Sequence, residues 1–591
     1  MHKHEKIPNQ LLKINIKSLY KGKGLTADLK NHRGIFISSA ILKFYESLIS
    51  YRTTPVIEKQ GFSETQAGAR KNRGISDQVF ILRSIMDYYE YINKPLMIEF
   101  IDLIKAFDKM ILRNVMIDLW KAGVKGKIWR NIYTINQKAY IKIKTPMGLT
   151  QEAEIGETLK QGSVMASTLA ALHTDGVNRL FKNTEAGVLY GNTKIHQLLF
   201  QDDIMKIEDD PAKLNISNTI YTWFGKINRM KYHQDKSMVM ITKGENPDTN
   251  LDGNQVKNTN KYKYLADIIT PDGSLDLTIQ ERKNQILGIT AELSTIISLI
   301  DESGLHIITA IKYHEAIILP KLLTNAESWS KITTANIIEL EGIQNRAIKR
   351  LLRLPQGTPS QALLNELGMW NIKTIIMKKK LTYLHKVINY PQENLTRQVL
   401  INQMNQPGGT WWLSVKELAQ EIDINIDQDK LQITSKYSWR KELIEKLTEY
   451  QKSLFENWKK SSKKCKNLEA SESIQKYITY LNKEQAIAIL KERLKMTNVK
   501  AYYKNMYQDK NCRICDKKEE NTQHLLECFF KNDPEKLPLV TTLDNTITSI
   551  KTTDPLKIKE LAQIINKVLQ DLLASTPDAV PTVTSGGDGT S

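Results

Sequence analysis

Two adjacent aspartates, Asp202 and Asp203, interrupt an otherwise apolar stretch, LLFQDDIMKI (198–207). Neighbouring carboxylates repel each other and are costly to desolvate. A fold that sets them between apolar runs must supply a cation or hold them at a turn. HQLLF and IMKIE are both of strand length, so the stretch predicts a hairpin with the two carboxylates at its tip. An isolated Asp-Asp turn is ordinary turn chemistry; the surrounding chain gives this one its weight.

Upstream, PLMIEFI (95–101) has the unbroken apolar character of a buried strand, and IEFIDLIKAFDKM places Asp102 just past it, with Asp108 six residues on. AYIKIK (139–144) alternates apolar and basic residues, which predicts a strand with one wet face. LKQGSVMAS (159–167) lies between the acidic segments, and its Gly162 allows close backbone approach to a ligand. Carboxylates gathered at strand ends are tolerable when a dication neutralises them. Mg²⁺ takes oxygen ligands, typically one or two carboxylates plus substrate phosphates. Two such ions stabilise the attacking and leaving oxygens of an in-line phosphoryl displacement. Asp102, Asp202 and Asp203 together therefore suit nucleotidyl transfer.

At 591 residues the chain exceeds what one core usually serves. Its formal charge is +19, from 84 Lys and Arg against 65 Asp and Glu, which favours a polyanionic partner, with nucleic acid first. No run of about twenty apolar residues predicts a membrane span, and MHKHEKIPNQLLKINIK lacks the pattern of a secretory signal. Four cysteines are too few for a disulfide scaffold and fit a reducing compartment. Residues 1–95 read as mixed helix and loop. From about residue 285 the pattern turns to long helices. In ANIIELEGIQNRAIKRLLRLP, Ile337, Leu340, Ala347 and Leu351 share one stripe and Arg346, Arg350 and Arg353 another, and the helix should end near Pro355. NQMNQPGGT (402–410) reads as a loop, KKSSKKCK (459–466) as a basic flexible link, and TPDAVPTVTSGGDGTS as a disordered tail.

Three of the four cysteines fall in CRICDKKEENTQHLLEC, giving Cys512, Cys515, His524 and Cys528 in the pattern C-x2-C-x8-H-x3-C. Two short-spaced ligand pairs separated by a loop match tetrahedral Zn²⁺. Cys465 lies outside the pattern.

The ordered blocks resemble the reverse transcriptase of non-LTR (LINE-type) retrotransposons over roughly residues 15–390. SLYKGKGLTADLKNHRGIFISSAILKFYE and ETQAGARKNRGISDQVFIL resemble its early blocks. FIDLIKAFD, KQGSVMASTLAAL and FQDD resemble its catalytic blocks, and MKYHQDKSMVM and YKYLADIITPDGS the two that follow. ILPKLLTNAESWS, LEGIQNRAIKRLLRLP and TPSQALLNELGMWNIK resemble its helical region, and the family carries a similar CCHC knuckle.

The resemblance implies an α+β right-hand polymerase with fingers, palm and thumb, a helical C-terminal extension and a zinc knuckle. The expected division is 1–280 for fingers and palm, 281–460 for thumb and extension, 461–535 for basic link and knuckle, and 536–591 for a C-terminal helix and tail. Asp102, Asp202 and Asp203 would hold two Mg²⁺, and Lys236 would neutralise or protonate the leaving pyrophosphate. Arg70, with Lys71 and Arg73, would bind the triphosphate; Phe107 would exclude the ribose 2′-OH; Gln161 and Gly162 would touch nucleotide and template. Structural zinc in the knuckle would help grip nucleic acid. Expected partners are an RNA template, a DNA primer or target, and dNTPs, with no membrane. The expected location is the nucleus, after assembly on RNA in the cytoplasm.

Three positions depart from the family pattern: Gln201 where a small residue is usual, Ala166-Ser167 for Ser-Pro, and Ala266 for Gly. The blocks begin close to Met1, and the roughly sixty residues after the knuckle show no Pro-Asp…Lys nuclease core; TTDPLKIKELAQII reads as a loop and a helix. The expectation is a polymerase without its own nicking activity. The competing reading is a catalytically degenerate or domesticated nucleic-acid-binding protein that keeps the fold. A maturase-like splicing cofactor would share that fold too.

Overall fold

The computed structural model describes residues 7–574 apart from 23, 146, 157–158, 301–304, 463–464, 504–508 and 551–552. The C-terminal TPDAVPTVTSGGDGTS lies outside the described residues.

Residues 1–95 hold two strands that the sequence reading missed, β1 (Lys13–Tyr20) and β2 (His32–Ile37), paired antiparallel. Ile14 and Ile16 alternate with polar residues along β1, but a single buried position, Ile14, is a faint strand signal. Two helices follow as expected. α1 (Ala40–Gln60) is capped by the Ser39 hydroxyl, which accepts the Leu42 N–H, and α2 (Ile75–Tyr91) has Asp77 in its first turn accepting the Gly74 N–H.

Next come β3 (Met97–Ile101), α3 (Gly126–Gln137) and β4 (Ala139–Thr145), the last pairing in parallel with β1. α4 (Ala166–Asp175) leads to the hairpin of β5 (Gln197–Phe200) and β6 (Asp203–Glu208), then α5 (Pro211–Asn228), β7 (Met238–Ile241) and the short β8 (Lys257–Asn258). The central sheet has the order β8-β7-β3-β6-β5, antiparallel except for β7–β8.

β3 is buried along its whole length, as PLMIEFI predicts. Its one charge, Glu99, faces Lys206 in register on β6, with Lys206 Nζ 2.9 Å from Glu99 Oε2 and both side chains sealed from water. The strand period of two distributes the remaining residues to two cores. Met97, Ile101, Leu199 and Ile204 join the core beneath α1, while Ile98, Phe100, Leu198, Met205 and Ile207 join the one beneath α2.

The second half is helical, with α6 (Asp276–Ile300), α7 (Thr334–Leu351), α8 (Ile372–Ile388), α9 (Lys436–Ser461), α10 (Thr522–Phe529) and α11 (Pro555–Ala574) among its elements. Its cores cross the expected boundaries. Met377, Leu384, Trp411 and Leu447 share the core on the α2 side of the sheet, so helices far along the chain cover that face. A separate core runs from Leu275 to Val568.

The expected flexible link at 459–466 is corrected at its described residues by this packing. α9 extends through Ser461, and Phe455 and Cys465 are both buried in the Leu275–Val568 core. Of the lysines that suggested a solvated tether, Lys459 and Lys460 belong to the last turn of this helix, while Lys463 and Lys464 lie outside the described residues. Among the described residues no helix is long and apolar enough to cross a membrane.

Candidate active site

Asp102 follows the last residue of β3, Asp202 lies in the turn of the β5–β6 hairpin and Asp203 opens β6. Since Ile101 pairs with Ile204, these three residues meet at one end of two adjacent central strands. The Asp102 N–H donates to Ser237 Oγ at 3.3 Å and its carbonyl accepts the His233 N–H at 2.8 Å. That segment brings in Lys236, whose Nζ lies 3.2 Å from Asp102 Oδ2.

The carboxylates also sense one another. Burial, with Asp102 nearby, raises Asp202 above the ordinary carboxylate range. Asp203 is pushed up to about 6 by desolvation and by the charges of Asp202 and Asp102, although its side chain reaches solvent. A crowd of like charges that proton uptake would relieve is equally relieved by a dication. Carboxylate oxygens are the donors that Mg²⁺ takes.

The hairpin tip is braced from the early block. Gln201 adopts a left-handed φ of 60°, and its N–H donates to Gln66 Oε1 at 3.0 Å. A Cβ on Gly68 would stand 2.2 Å from the Gln201 nitrogen and 2.6 Å from its Cγ. Gln201 thus lies over Gly68. Ala266, the departure from Gly, also sits at a left-handed φ, 75°, as does Leu265 at 43°, a region that favours glycine.

Gln161 and Gly162 pack against β2, where Phe36 N–H donates to the Gln161 carbonyl at 2.8 Å. Phe107 is half-buried in the short helix Ala106–Lys109 after Asp102, against the core on the α1 side of the sheet.

Arg70 requires a correction. Its side chain is only 3% exposed. Nε donates to Glu58 at 2.9 Å, one terminal nitrogen donates to the Ser63 and Gln66 carbonyls at 2.6 and 2.9 Å, and the other reaches Glu64 at 3.5 Å. Those contacts make it a brace of its own loop. Arg73 is bound to Glu64 at 2.6 Å, while Lys71 is exposed.

Two residues that the sequence reading passed over couple electrostatically to the carboxylates. Arg33, exposed on β2, lowers the affinity of Asp202 for its proton. Tyr262 stacks on Phe100 with centroids 4.1 Å apart, and burial plus the charges of Asp102 and Asp203 push its hydroxyl up to about 12. Their sequence signal is slight: each sits in a short alternating stretch, HRGIFI and YKY.

The second cluster is remote from this site in sequence. Cys512, Cys515, His524 and Cys528 bring one ligand atom each within 4.8 Å of one another, which among the described residues no other His, Cys, Asp or Glu group does. The turn after Cys512 closes through Cys512 N–H to the Lys518 carbonyl at 2.7 Å, and α10 sets His524 and Cys528 one turn apart. Cys515 Sγ lies 3.3 Å from His524 Nε2. The Lys517 N–H and His524 hold the Cys515 thiol down at about 6, while burial pushes Cys528 up to about 12. None of the cysteines is in a disulfide. Three thiols and one imidazole at this spacing fit tetrahedral Zn²⁺.

α7 ends at Leu351, ahead of Pro355, and leaves Arg346, Arg350 and Arg353 exposed while Leu340, Ala347 and Leu351 are buried.

Residues 20–290 match the family model for reverse transcriptase (RNA-dependent DNA polymerase). The chain carries a reverse transcriptase domain. The match takes in the right-hand polymerase fold, and with it a mixed α/β reverse transcriptase domain whose central sheet bears the three aspartates.

No curated protein matches the chain. Among solved structures, the apo telomerase from Candida tropicalis truncated from its C-terminal domain is 11% identical. The match covers 46% of this chain and 55% of that one at a TM-score of 0.33, so the chain spans little more than half of that relative. The longer apo telomerase from Candida tropicalis is 12% identical, with 76% and 70% covered and a TM-score of 0.37. The telomerase from Candida albicans in complex with a TWJ fragment of telomeric RNA is 11% identical, with 67% and 68% covered and a TM-score of 0.33.

Proposed function

We propose that this chain is the reverse transcriptase of a non-LTR (LINE-type) retrotransposon, extending a DNA primer on an RNA template. The observation that carries the reading is the meeting of Asp102, Asp202 and Asp203 at one sheet end, with Lys236 on Asp102, inside a reverse transcriptase domain.

Asp102, Asp202 and Asp203 would hold Mg²⁺, which when bound neutralises the attacking and leaving oxygens of the displacement. The chain's own groups do the rest. Arg33 faces the site from β2 and offers its guanidinium to the triphosphate, the task that Arg70 is too occupied to perform. Lys236 carries a proton at Nζ beside the carboxylates and can give it to the departing pyrophosphate. Phe107, five residues after Asp102, would fill the space of a ribose 2′-OH. Gln161 and Gly162 would present backbone to the nucleotide and its template base. Zinc held by Cys512, Cys515, His524 and Cys528 would shape a knuckle that grips nucleic acid. The nucleus is the proposed place of action, reached after assembly on RNA in the cytoplasm.

The test is primer extension on an RNA template with purified protein, dNTPs and Mg²⁺, run beside Asp202→Asn. Extension that the substitution abolishes is the expected result. Intact RNA binding with no extension by either protein would favour the degenerate binding-protein reading.

A further inference from the structure

Glu46, on α1, is 2% exposed, and both of its carboxylate oxygens serve one loop. Ser163 Oγ donates to Oε1 at 2.7 Å and the Val164 N–H donates to Oε2 at 3.2 Å. A buried carboxylate is costly unless its hydrogen bonds are satisfied, so these two bonds account for its presence. α1 does not need the charge to dock, because Leu42, Tyr45, Ile49 and Ile57 already bury its inner face.

The same loop is pinned from its other end. Lys160 is 2% exposed, and its ammonium donates to the Ile135 carbonyl and, at 3.2 Å, to the Lys138 carbonyl, at the C-terminus of α3. Cations are favoured at that end of a helix. Burial lowers the Lys160 ammonium to about 8, with Glu46 as the opposing charge.

Between the two anchors lie Gln161, whose carbonyl is taken by Phe36 N–H, and Gly162 at φ +107°. A Cβ on Gly162 would meet the Phe36 carbonyl oxygen at 2.7 Å. The loop is therefore fixed to β2, α1 and α3 at once, and β2 is the strand that also carries Arg33.

We propose that Glu46 is a positioning residue for nucleotide binding: it clamps Ser163 and Val164 so that the Gln161–Gly162 backbone is held against β2 where the incoming nucleotide pairs. The proposal rests on the polymerase reading above. It locates specificity for the nucleotide, rather than grip on the primer–template duplex, in a carboxylate that touches neither.

The experiment compares wild type, Glu46→Ala, Glu46→Gln, Ser163→Ala and Asp202→Asn, measuring kcat, the KM for dNTP, the duplex Kd and Tm. Glu46→Ala should raise the dNTP KM roughly tenfold, only part of what two hydrogen bonds to a charged acceptor are worth because Lys160 and Phe36 still hold the loop, and change the duplex Kd less than about twofold. Glu46→Gln still accepts from Val164 N–H and can donate to Ser163 Oγ, so it should recover most of that loss. Where Glu46→Ala fails to fold, Ser163→Ala takes its place, with about a threefold rise expected. Unchanged dNTP KM in the folded variants, with wild type active, overturns the positioning role alone. Absence of extension by wild type overturns the polymerase reading, and the proposal with it.

Discussion

Lys236 Nζ and Asp102 Oδ2 stand 3.2 Å apart, joining the segment before β7 to the end of β3. The pair is partly exposed, so its worth to folding is small; its interest is that an ammonium waits beside the carboxylates. Replacing Lys236 with alanine should lower kcat about a hundredfold, the lower range for loss of a general acid, with dNTP KM moving less. Lys236→Arg should keep part of the rate by charge alone. Single-turnover extension measures this, and a kcat equal to wild type would remove Lys236 from the chemistry.

The exposed arginines of α7 predict a salt effect. Arg346 and Arg350 face solvent on one side of a helix whose other side is buried, and Arg353, exposed as well, lies two residues past its end. If each meets a phosphate, changing all three to alanine should reduce the slope of log Kd against log salt by about 2–3. It should weaken binding across all duplex sequences alike. Filter binding at several ionic strengths reads the slope, and an unaltered slope would show that the stripe lies off the duplex path.

Zinc should be local in its effect. Cys512 packs in a small core with Val499 and Leu525, separate from the large ones. Metal analysis of protein purified without chelator should find about one zinc per chain, lost in Cys515→Ser. Chelation should speed hydrogen exchange across 512–529 and leave the central sheet protected. Exchange that rises throughout the chain would mean that the knuckle supports more of the fold than its core suggests.

Buried Lys380 predicts a pH dependence of stability. It is sealed from water, donates to Ser414 Oγ at 2.9 Å, and burial lowers it to about 7. In the unfolded chain a lysine titrates near 10.4. The folded state thus binds this proton less tightly, and stability contributed through Lys380 rises as pH climbs from about 7 toward 10. Asp87, raised to about 6 by burial, acts oppositely and at lower pH, its contribution falling between about 4 and 6. Lys380→Met should flatten the upper window and stabilise the protein near pH 6 by a few kcal/mol. Urea denaturation at pH 6, 7.5 and 9 tests it; a slope that survives the substitution would assign the effect elsewhere.

Much of this protein was legible in the chain. Asp202 and Asp203 between strand-length apolar runs, PLMIEFI before Asp102, the stripe on α7 and the C-x2-C-x8-H-x3-C pattern each rest on local periodicity or short spacing, which the backbone geometry of strands, helices and turns dictates. Those are the features that the fold reproduces. What the chain could not disclose depends on partners far away in sequence. Arg70 resembles a phosphate ligand until Glu58 and the Ser63 and Gln66 carbonyls are seen to use its donors. Arg33 is one charge in an alternating strand until β2 brings it toward Asp202. Glu46 is one acid on an amphipathic helix until Ser163 and Val164 arrive from more than a hundred residues away. Sequence by itself determined the elements and the chemistry of the carboxylates and thiols, because those follow from neighbours along the chain. Only the tertiary structure decided which charges are spent on scaffolding and which are left facing the site, because hydrogen-bond donors and acceptors are shared out by contact in space.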